Sequence, residues 1–252
     1  MASRQQNRQV SMSAKKPGTK KSDPNEVSAV QMLWPVPFLR KQFPLADEVN
    51  PQLVSLFNEH RRLNDKTRGP VYSSSDDLLM HYDDPALNRL FEFISASVFE
   101  IASATNGAVW KYSQSKKMNM SVVGAWFQIQ NGYGFHDVHN HGNCSWCGVY
   151  YVQVDDKEKR EAHPTLGAMN GVTRFYGPQL DMIGGSYMDS GNLYLQASNF
   201  DSPPEEGVLC VFPSHLKHMA MAYAGEKDRM IVSFNAQVHG DQGDEIFNYS
   251  FY

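Results

Sequence analysis

The chain has 252 residues, of which 41% are hydrophobic and 20% are charged, and it contains three cysteines. A chain of this length buries enough apolar surface to fold without disulfides. An odd and sparse set of cysteines is typical of a reducing compartment, so we expect a cytoplasmic location. No apolar run is long enough to cross a bilayer, which argues against a membrane protein.

Charge is distributed unevenly along the chain. Residues 1–22 contain six of the 23 basic residues and no acidic residue, which leaves 17 basic against 27 acidic residues, a net charge of −10, in the remainder. This net negative charge is unfavourable for binding the phosphate backbone of nucleic acids, so we expect no nucleic-acid partner. Residues 1–27 lack the apolar side chains needed to pack and are predicted to form a disordered basic tail, with an organelle transit peptide as the alternative.

Residues 28–252 are predicted to form a single domain that begins with two helices. Asn50 and Asp84 each precede a proline, which is the order expected of an N-cap followed by the first helical residue. Apolar residues then recur every three to four positions. The pattern predicts helices at about 50–62 and 84–106, each with an apolar face directed towards the core.

After Gly107 the helical period gives way to short apolar segments that are separated by turn residues. Such segments, with Gly and Pro between them and no interleaved helices, predict an antiparallel sandwich or barrel. The predicted strands are 121–130, 147–154, 172–176, 192–197, 207–212, 218–223 and 229–238.

Five of the nine histidines fall in two short clusters. Because residues i and i+2 of a strand point to the same face, His139 and His141 can present both imidazoles to the barrel interior. His218, which opens a later strand, is placed to supply a third ligand. Three imidazoles leave positions open for water, oxygen or substrate, as in a catalytic metal site, and they suit Fe(II), Zn, Cu or Ni.

Other residues near these histidines leave alternatives open. His136 could contact a metal ligand without binding the metal, could contact the substrate, or could be a polar loop residue. If the register of the strand differs, His136 or Asp137 could itself be a metal ligand. Cys144 and Cys147 form a Cys-x-x-Cys sequence of the kind found in redox and zinc sites. The chain has no second such pair, so buried packing at the start of a strand is the favoured interpretation.

Arg229 lies eleven residues after His218, at the start of the last predicted strand. A guanidinium group is a rigid fork that binds a carboxylate through two hydrogen bonds. A single arginine inside a barrel is unfavourable unless an anion balances its charge. The spacing therefore indicates a carboxylate-binding site near the histidines.

Together these segments resemble the 2-oxoglutarate and Fe(II)-dependent oxygenases, in the prolyl-hydroxylase-like branch that carries a His-x-His motif. The resemblance covers about residues 28–238. It rests on His136, His139 and His141, on Gly148-Val-Tyr150-Tyr151-Val152, on Phe212-Pro-Ser-His-Leu-Lys-His218 and on Arg229-Met-Ile-Val-Ser233-Phe-Asn235. A third imidazole occupies position 141, where most members of the wider family have a carboxylate.

The resemblance implies a mainly β fold, a double-stranded β-helix (jelly roll) supported by two N-terminal α-helices. It implies that His139, His141 and His218 hold Fe(II). The far carboxylate of the cosubstrate 2-oxoglutarate would pair with Arg229 and accept a hydrogen bond from Tyr151, with Tyr150 as the alternative. Gln128 and Ser233 are assigned to further cosubstrate contacts, and Trp126 to the pocket wall or the core.

The activity implied is oxidation, by default hydroxylation, of an unactivated C–H bond with O₂, releasing succinate and CO₂. We expect the substrate to be a small amino-acid-like metabolite or a peptide, and a homodimer is compatible with the sequence. Two rivals are a cupin-like three-histidine dioxygenase that does not use 2-oxoglutarate and a non-catalytic metal- or ligand-sensing barrel.

Overall fold

The structure is a computed structural model that describes residues 36–66, 69–110, 117–177 and 199–240. The helices are α1 (Ala46–Asn64), α2 (Leu78–His81), α3 (Pro85–Trp110) and α4 (Lys157–Glu161), with a short 3₁₀ turn at Gly167–Met169. The strands are β1 (Leu39–Gln42), β2 (Val71–Ser73), β3 (Met118–Gln130), β4 (Gly134–His139), β5 (Trp146–Gln153), β6 (Thr173–Tyr176), β7 (Asn199–Ser202), β8 (Val208–Pro213), β9 (His218–Tyr223) and β10 (Arg229–Gly240). The predicted tail and the predicted strand 192–197 lie outside the described residues.

The described strands form two antiparallel sheets. The larger sheet has the order β1-β8-β5-β10-β3-β2, and the smaller has the order β4-β9-β6-β7. Neighbours within each sheet are mostly distant in sequence, as in a jelly roll rather than a meander. The mainly β jelly-roll prediction is confirmed, and six of the predicted strands correspond to β3, β5, β6, β8, β9 and β10.

The two long helices cover the outer face of the larger sheet. Their apolar faces share one core with that sheet, and the rings of Phe57 in α1 and Phe127 in β3 stack with centroids 4.1 Å apart. Stacked aromatic pairs add to the free energy of burial. In the described ranges, no helix is both long and apolar enough to cross a bilayer.

Helix α1 begins four residues earlier than the sequence pattern predicts. Asn50 does not cap the helix, because it is buried and its Oδ1 accepts a hydrogen bond of 2.6 Å from the hydroxyl of Tyr150. Pro51 therefore lies inside the helix. The extra turn buries Ala46 and Val49, and this packing offsets the backbone hydrogen bond that the proline cannot donate.

Strand β10 separates the helix-side core from the interior of the barrel. Met230, Val232 and Phe234 belong to the core beneath the helices, whereas Arg229 and Ser233 line a pocket between the sheets. Opposite faces of a strand alternate residue by residue. The same alternation in β5 sends Tyr150 towards α1 and Tyr151 towards the interior.

Candidate metal centre and cosubstrate pocket

The three predicted ligands converge at one end of the pocket. His139 ends β4 and is paired with His218, which begins β9. One nitrogen from each of His139, His141 and His218 lies within 4.8 Å of the others. His141 lies in the loop after β4 rather than on the strand, and its backbone N–H is held by the carbonyl of Ser214 at 3.0 Å. The two histidines therefore converge through a loop, and not through the shared strand face that the sequence predicts.

Each of the three imidazoles uses Nδ1 in a hydrogen bond. His139 Nδ1 lies 2.7 Å from the carbonyl oxygen of Asp137, and His218 Nδ1 lies 3.0 Å from that of Leu216. His141 Nδ1 lies 2.7 Å from the side-chain oxygen Oδ1 of Asn235. A partner that can only accept requires a proton on Nδ1, which leaves Nε2 unprotonated and able to bind a metal.

Burial favours the neutral, metal-binding form of these side chains. It lowers the pKa of His218 to about 3, with a smaller contribution in the opposite direction from the hydrogen bond to Leu216. Burial also lowers the pKa of His141, against the hydrogen bond to Asn235. Metal coordination requires a neutral imidazole, and the lowered pKa values favour the neutral form of His141 and His218 at neutral pH.

His136 and Asp137, the alternative ligands, are placed differently. The ring of His136 lies 4.2 Å from that of His139 and lines the pocket, but its nitrogens are not part of the three-nitrogen group. The carboxylate of Asp137 is exposed and accepts a hydrogen bond from the N–H of Val138. Asp137 contributes its backbone carbonyl to His139 instead of a carboxylate to a metal.

Arg229 occupies the other end of the same pocket. Its side chain is 1% exposed and donates to Gln130 Oε1 at 3.0 Å and to Thr173 Oγ1 at 3.3 Å. Within the described part of the chain, its Nε has no hydrogen-bond partner and no carboxylate pairs with it. Burial lowers the pKa of Arg229, with an opposing contribution from Tyr151. A buried cation with one free donor is suited to bind an anion.

Tyr151 is placed behind this site rather than in it. Its hydroxyl is fully buried and lies 2.8 Å from Thr173 Oγ1, and its ring centroid lies 5.2 Å from the guanidinium carbon of Arg229. Thr173, and not Tyr151, lines the pocket. Tyr150 points to the helix side, so the alternative assignment has no place in the pocket.

Thr173 and Gln130 also contact Arg229, although the sequence motifs predict no role for either. Gln130 lies two residues after Gln128 on β3, and this spacing on one strand face was an available signal. Gln130 is 3% exposed, and its amide nitrogen donates to the carbonyls of Gly134 and Met221. These bonds orient its Oε1 towards Arg229. Thr173 gave no such signal, because its role depends on which strand pairs with β9.

The remaining predicted residues line the wall of the pocket. Gln128 and Ser233 are both buried and both line it. Trp126 is half-buried, and its ring stacks on that of His141 with centroids 5.7 Å apart and planes inclined by 21°. Trp126 therefore forms pocket wall at the histidine end.

The Cys-x-x-Cys pair makes no metal site with the histidines. Cys147 is buried, and its thiol lies 3.8 Å from the carbonyl oxygen of Phe212. Burial raises the pKa of both Cys144 and Cys147, which disfavours the thiolate form needed for metal binding or redox exchange. Within the described residues, neither cysteine belongs to a metal-binding group.

The part of the chain that contains this site is similar to a known family. Residues 124–235 match the model of the family described as "Putative 2OG-Fe(II) oxygenase". That segment contains the three histidines, Arg229, Thr173 and Asn235. No curated protein matches the chain.

Solved structures share the fold at low sequence identity. The epimerase SnoN from nogalamycin biosynthesis is 9% identical over 81% of this chain and 78% of its own, with a TM-score of 0.50. EvdMO1 is 13% identical over 79% of this chain and 47% of its own, also with a TM-score of 0.50. A prolyl-4-hydroxylase of Pseudomonas putida is 12% identical over 79% of this chain and 92% of its own, with a TM-score of 0.47.

Three convergent imidazoles and a buried arginine in one pocket of a jelly roll are the metal ligands and the anion partner that a non-haem metal oxygenase requires. The family match is more particular: residues 124–235 of the chain match the 2-oxoglutarate and Fe(II)-dependent oxygenases, a family that uses Fe(II), 2-oxoglutarate and O₂.

Proposed function

We propose that the enzyme hydroxylates an unactivated C–H bond of a small amino-acid-like metabolite or a peptide, forming succinate and CO₂ from 2-oxoglutarate and O₂. One oxygen atom of O₂ enters the substrate and the other enters succinate, so no further reductant is needed. One observation carries the proposal: a buried arginine that pairs with no carboxylate of the described residues shares a pocket with three imidazoles that are each held through Nδ1.

The residues present fit the metal and the cosubstrate. His139, His141 and His218 would hold Fe(II) through Nε2, because Nδ1 of each is already in a hydrogen bond. When bound, Fe(II) supplies the positions at which the keto-acid end of 2-oxoglutarate and O₂ react. Three neutral ligands leave the metal charge uncompensated by the protein, which favours the binding of an anionic cosubstrate.

The far carboxylate of 2-oxoglutarate would bind Arg229. The free Nε–H and the hydroxyl of Thr173 are the donors available to it, and the carboxylate would balance the buried positive charge. Gln130 fixes the opposite edge of the guanidinium. Tyr151 would act through Thr173, whose hydroxyl it holds, and Gln128 and Ser233 would line the path between the two ends of the pocket.

The substrate would enter from the side where Trp126 and His136 border the histidines. This side is the more exposed end of the pocket, whereas the end at Arg229 is closed by buried residues. The similar structures include the epimerase SnoN from nogalamycin biosynthesis, which supports a small-molecule substrate as one of the two possibilities. A net charge of −10 outside residues 1–22 disfavours a nucleic-acid substrate.

A three-histidine dioxygenase that does not use 2-oxoglutarate is the second candidate. It is favoured by His141, which stands where most members of the wider family have a carboxylate. In that case Arg229 would bind the carboxylate of the substrate itself.

The deciding experiment measures O₂ uptake, succinate and 2-oxoglutarate consumption by the purified chain reconstituted anaerobically with Fe(II), against a panel of amino acids and peptides. We expect succinate to form with a one-to-one ratio to O₂ consumed. Substrate oxidation that proceeds without 2-oxoglutarate would favour the second candidate and overturn the first. Arg229→Met should suppress the 2-oxoglutarate-dependent reaction, with His81→Ala on the surface of α2 as the matched control.

A further inference from the structure

His141 differs from the other two candidate ligands, because a side chain and not a backbone carbonyl accepts its hydrogen bond. His139 and His218 are oriented by backbone carbonyls two residues before them. His141 is oriented by a side chain 94 residues later in the chain, on the central strand of the larger sheet. The orientation of His141 therefore depends on one replaceable group.

We propose that Asn235 is the positioning residue that makes His141 a metal ligand, an inference that rests on the three-histidine site of the proposed function. Its Oδ1 accepts the proton of Nδ1 and so keeps Nε2 free to coordinate. Without an acceptor here, the proton can move to Nε2, and in that tautomer the nitrogen facing the site cannot bind a metal.

The strand pair that contains Asn235 is irregular at this point. Asn235 pairs with Gly124 and Ala236 pairs with Val122, so Val123 of β3 is an extra residue in the register between β10 and β3. An extra residue of this kind changes the local twist of a strand pair and the direction of nearby side chains. Asn235 is paired there with Gly124, and a Cβ at position 124 would lie 3.8 Å from the Asn235 amide nitrogen. The Asn235 side chain is therefore half-buried, and its amide oxygen faces His141.

The stacking of Trp126 on His141 does not perform the same task. A ring packed face to face restricts the tilt of the imidazole, but it makes no hydrogen bond and so does not select a tautomer. Among the described residues, Asn235 is the side chain that hydrogen-bonds a ring nitrogen of His141, and it determines which nitrogen carries the proton.

Substitutions of similar size separate positioning from packing. Asn235→Leu keeps the volume and removes the acceptor, whereas Asn235→Asp keeps an acceptor oxygen in the same place. Gln237→Met is the matched control, because Gln237 lies on the same strand and donates to the carbonyl of Asn143 near His141 without contacting a candidate ligand. His141→Ala reports on the ligand itself.

The test is titration of the full chain with Co(II), followed by its visible absorption, together with the melting temperature of the metal-free protein. We expect Asn235→Leu to weaken Co(II) binding by about 10- to 100-fold, the range found when an outer partner of a metal ligand is lost. Asn235→Asp should restore the affinity to within about threefold of the parent, and Gln237→Met should leave it unchanged. The metal-free melting temperature of Asn235→Leu should stay near that of the parent, which a purely structural role would not allow.

The outcomes separate this inference from the proposed function. If Asn235→Leu binds Co(II) as the parent does while His141→Ala loses binding, the role of Asn235 is wrong and the metal site stands. If Gln237→Met loses as much affinity as Asn235→Leu, the effect belongs to the strand and the role is again wrong. If His141→Ala also binds normally, the three-histidine site itself is wrong.

Discussion

The two ends of the pocket are built in different ways. At the metal end, two of the three candidate ligands are oriented by carbonyls of their own local backbone. At the carboxylate end, Arg229 is oriented by side chains from β3 and β6, which lie 99 and 56 residues away in sequence. Local geometry therefore orients two of the three candidate ligands, whereas long-range packing orients Arg229. A substitution should be felt differently at each end, in metal binding at the first and in cosubstrate affinity at the second.

The largest effect is expected at the metal end. His218→Ala removes a buried imidazole that is paired with His139 across two strands. We expect iron affinity to fall by more than about 100-fold, beyond the loss typical of an outer-shell change. Iron retained per chain after anaerobic reconstitution and desalting measures this, and His81→Ala on the surface should retain iron normally. Full retention of iron by His218→Ala would contradict the ligand assignment.

The next effect separates the two ends. Arg229→Met should weaken 2-oxoglutarate binding by about 100-fold, because charge-assisted hydrogen bonds contribute about 1.5–3 kcal/mol each. Iron binding should be unchanged. The melting temperature without 2-oxoglutarate should not fall, because the variant replaces an uncompensated buried charge by an apolar side chain. Calorimetric titration and thermal unfolding measure these quantities, and normal 2-oxoglutarate affinity would show that the carboxylate binds elsewhere.

A smaller effect distinguishes Thr173 from Tyr151. Thr173→Val removes the hydroxyl that accepts from Arg229 and is hydrogen-bonded to Tyr151, so it should lower the free energy of unfolding by about 1–3 kcal/mol and weaken 2-oxoglutarate binding several-fold. Tyr151→Phe should lower stability by about 1 kcal/mol and change the affinity little. If Tyr151→Phe weakens binding more than Thr173→Val does, the direct contact predicted for Tyr151 is correct after all.

The smallest effect is a dependence of stability on alkaline pH at the carboxylate end. The Tyr223 hydroxyl accepts from the N–H of Asp155 and donates to the carbonyl of Lys227, and burial raises its pKa to about 12. Between pH 10 and 12 the unfolded chain loses this proton while the folded chain keeps it. Stability should therefore fall as pH rises, by at most about 1.4 kcal/mol per pH unit. Chemical unfolding across this range should show a shallower slope for Tyr223→Phe, and an equal slope would exclude Tyr223 as its source.

The same difference between local and long-range structure explains what the sequence could predict. His139, His141, His218 and Arg229 were found because short motifs carry their spacing, and the structure brings all four to one pocket. Gln130 and Thr173 were missed because their roles arise from strand pairing across 56 to 99 residues. Asn235 lay within a motif, but only its hydrogen bond to His141, 94 residues earlier, shows where its amide points.

The strands likewise differ in how much of their structure a local sequence pattern reveals. Strands with alternating or continuous apolar residues, such as β5 and β10, were predicted to within a few residues. Strand β4 was missed, because it is largely exposed and its pairing with β9 shifts register twice. An apolar period therefore reveals strands that bury one face and leaves out an irregular strand at a sheet edge, although that strand ends in a candidate ligand.

Strand β10 begins with Arg229 and reaches Asn235, so it contacts both ends of the pocket. Six residues of extended chain span about 20 Å, and partners on both sides fix the register. The distance between the two ends is therefore set by backbone hydrogen bonds. If 2-oxoglutarate binds as proposed, a keto diacid that is one methylene shorter or longer would lose contact at one of its ends.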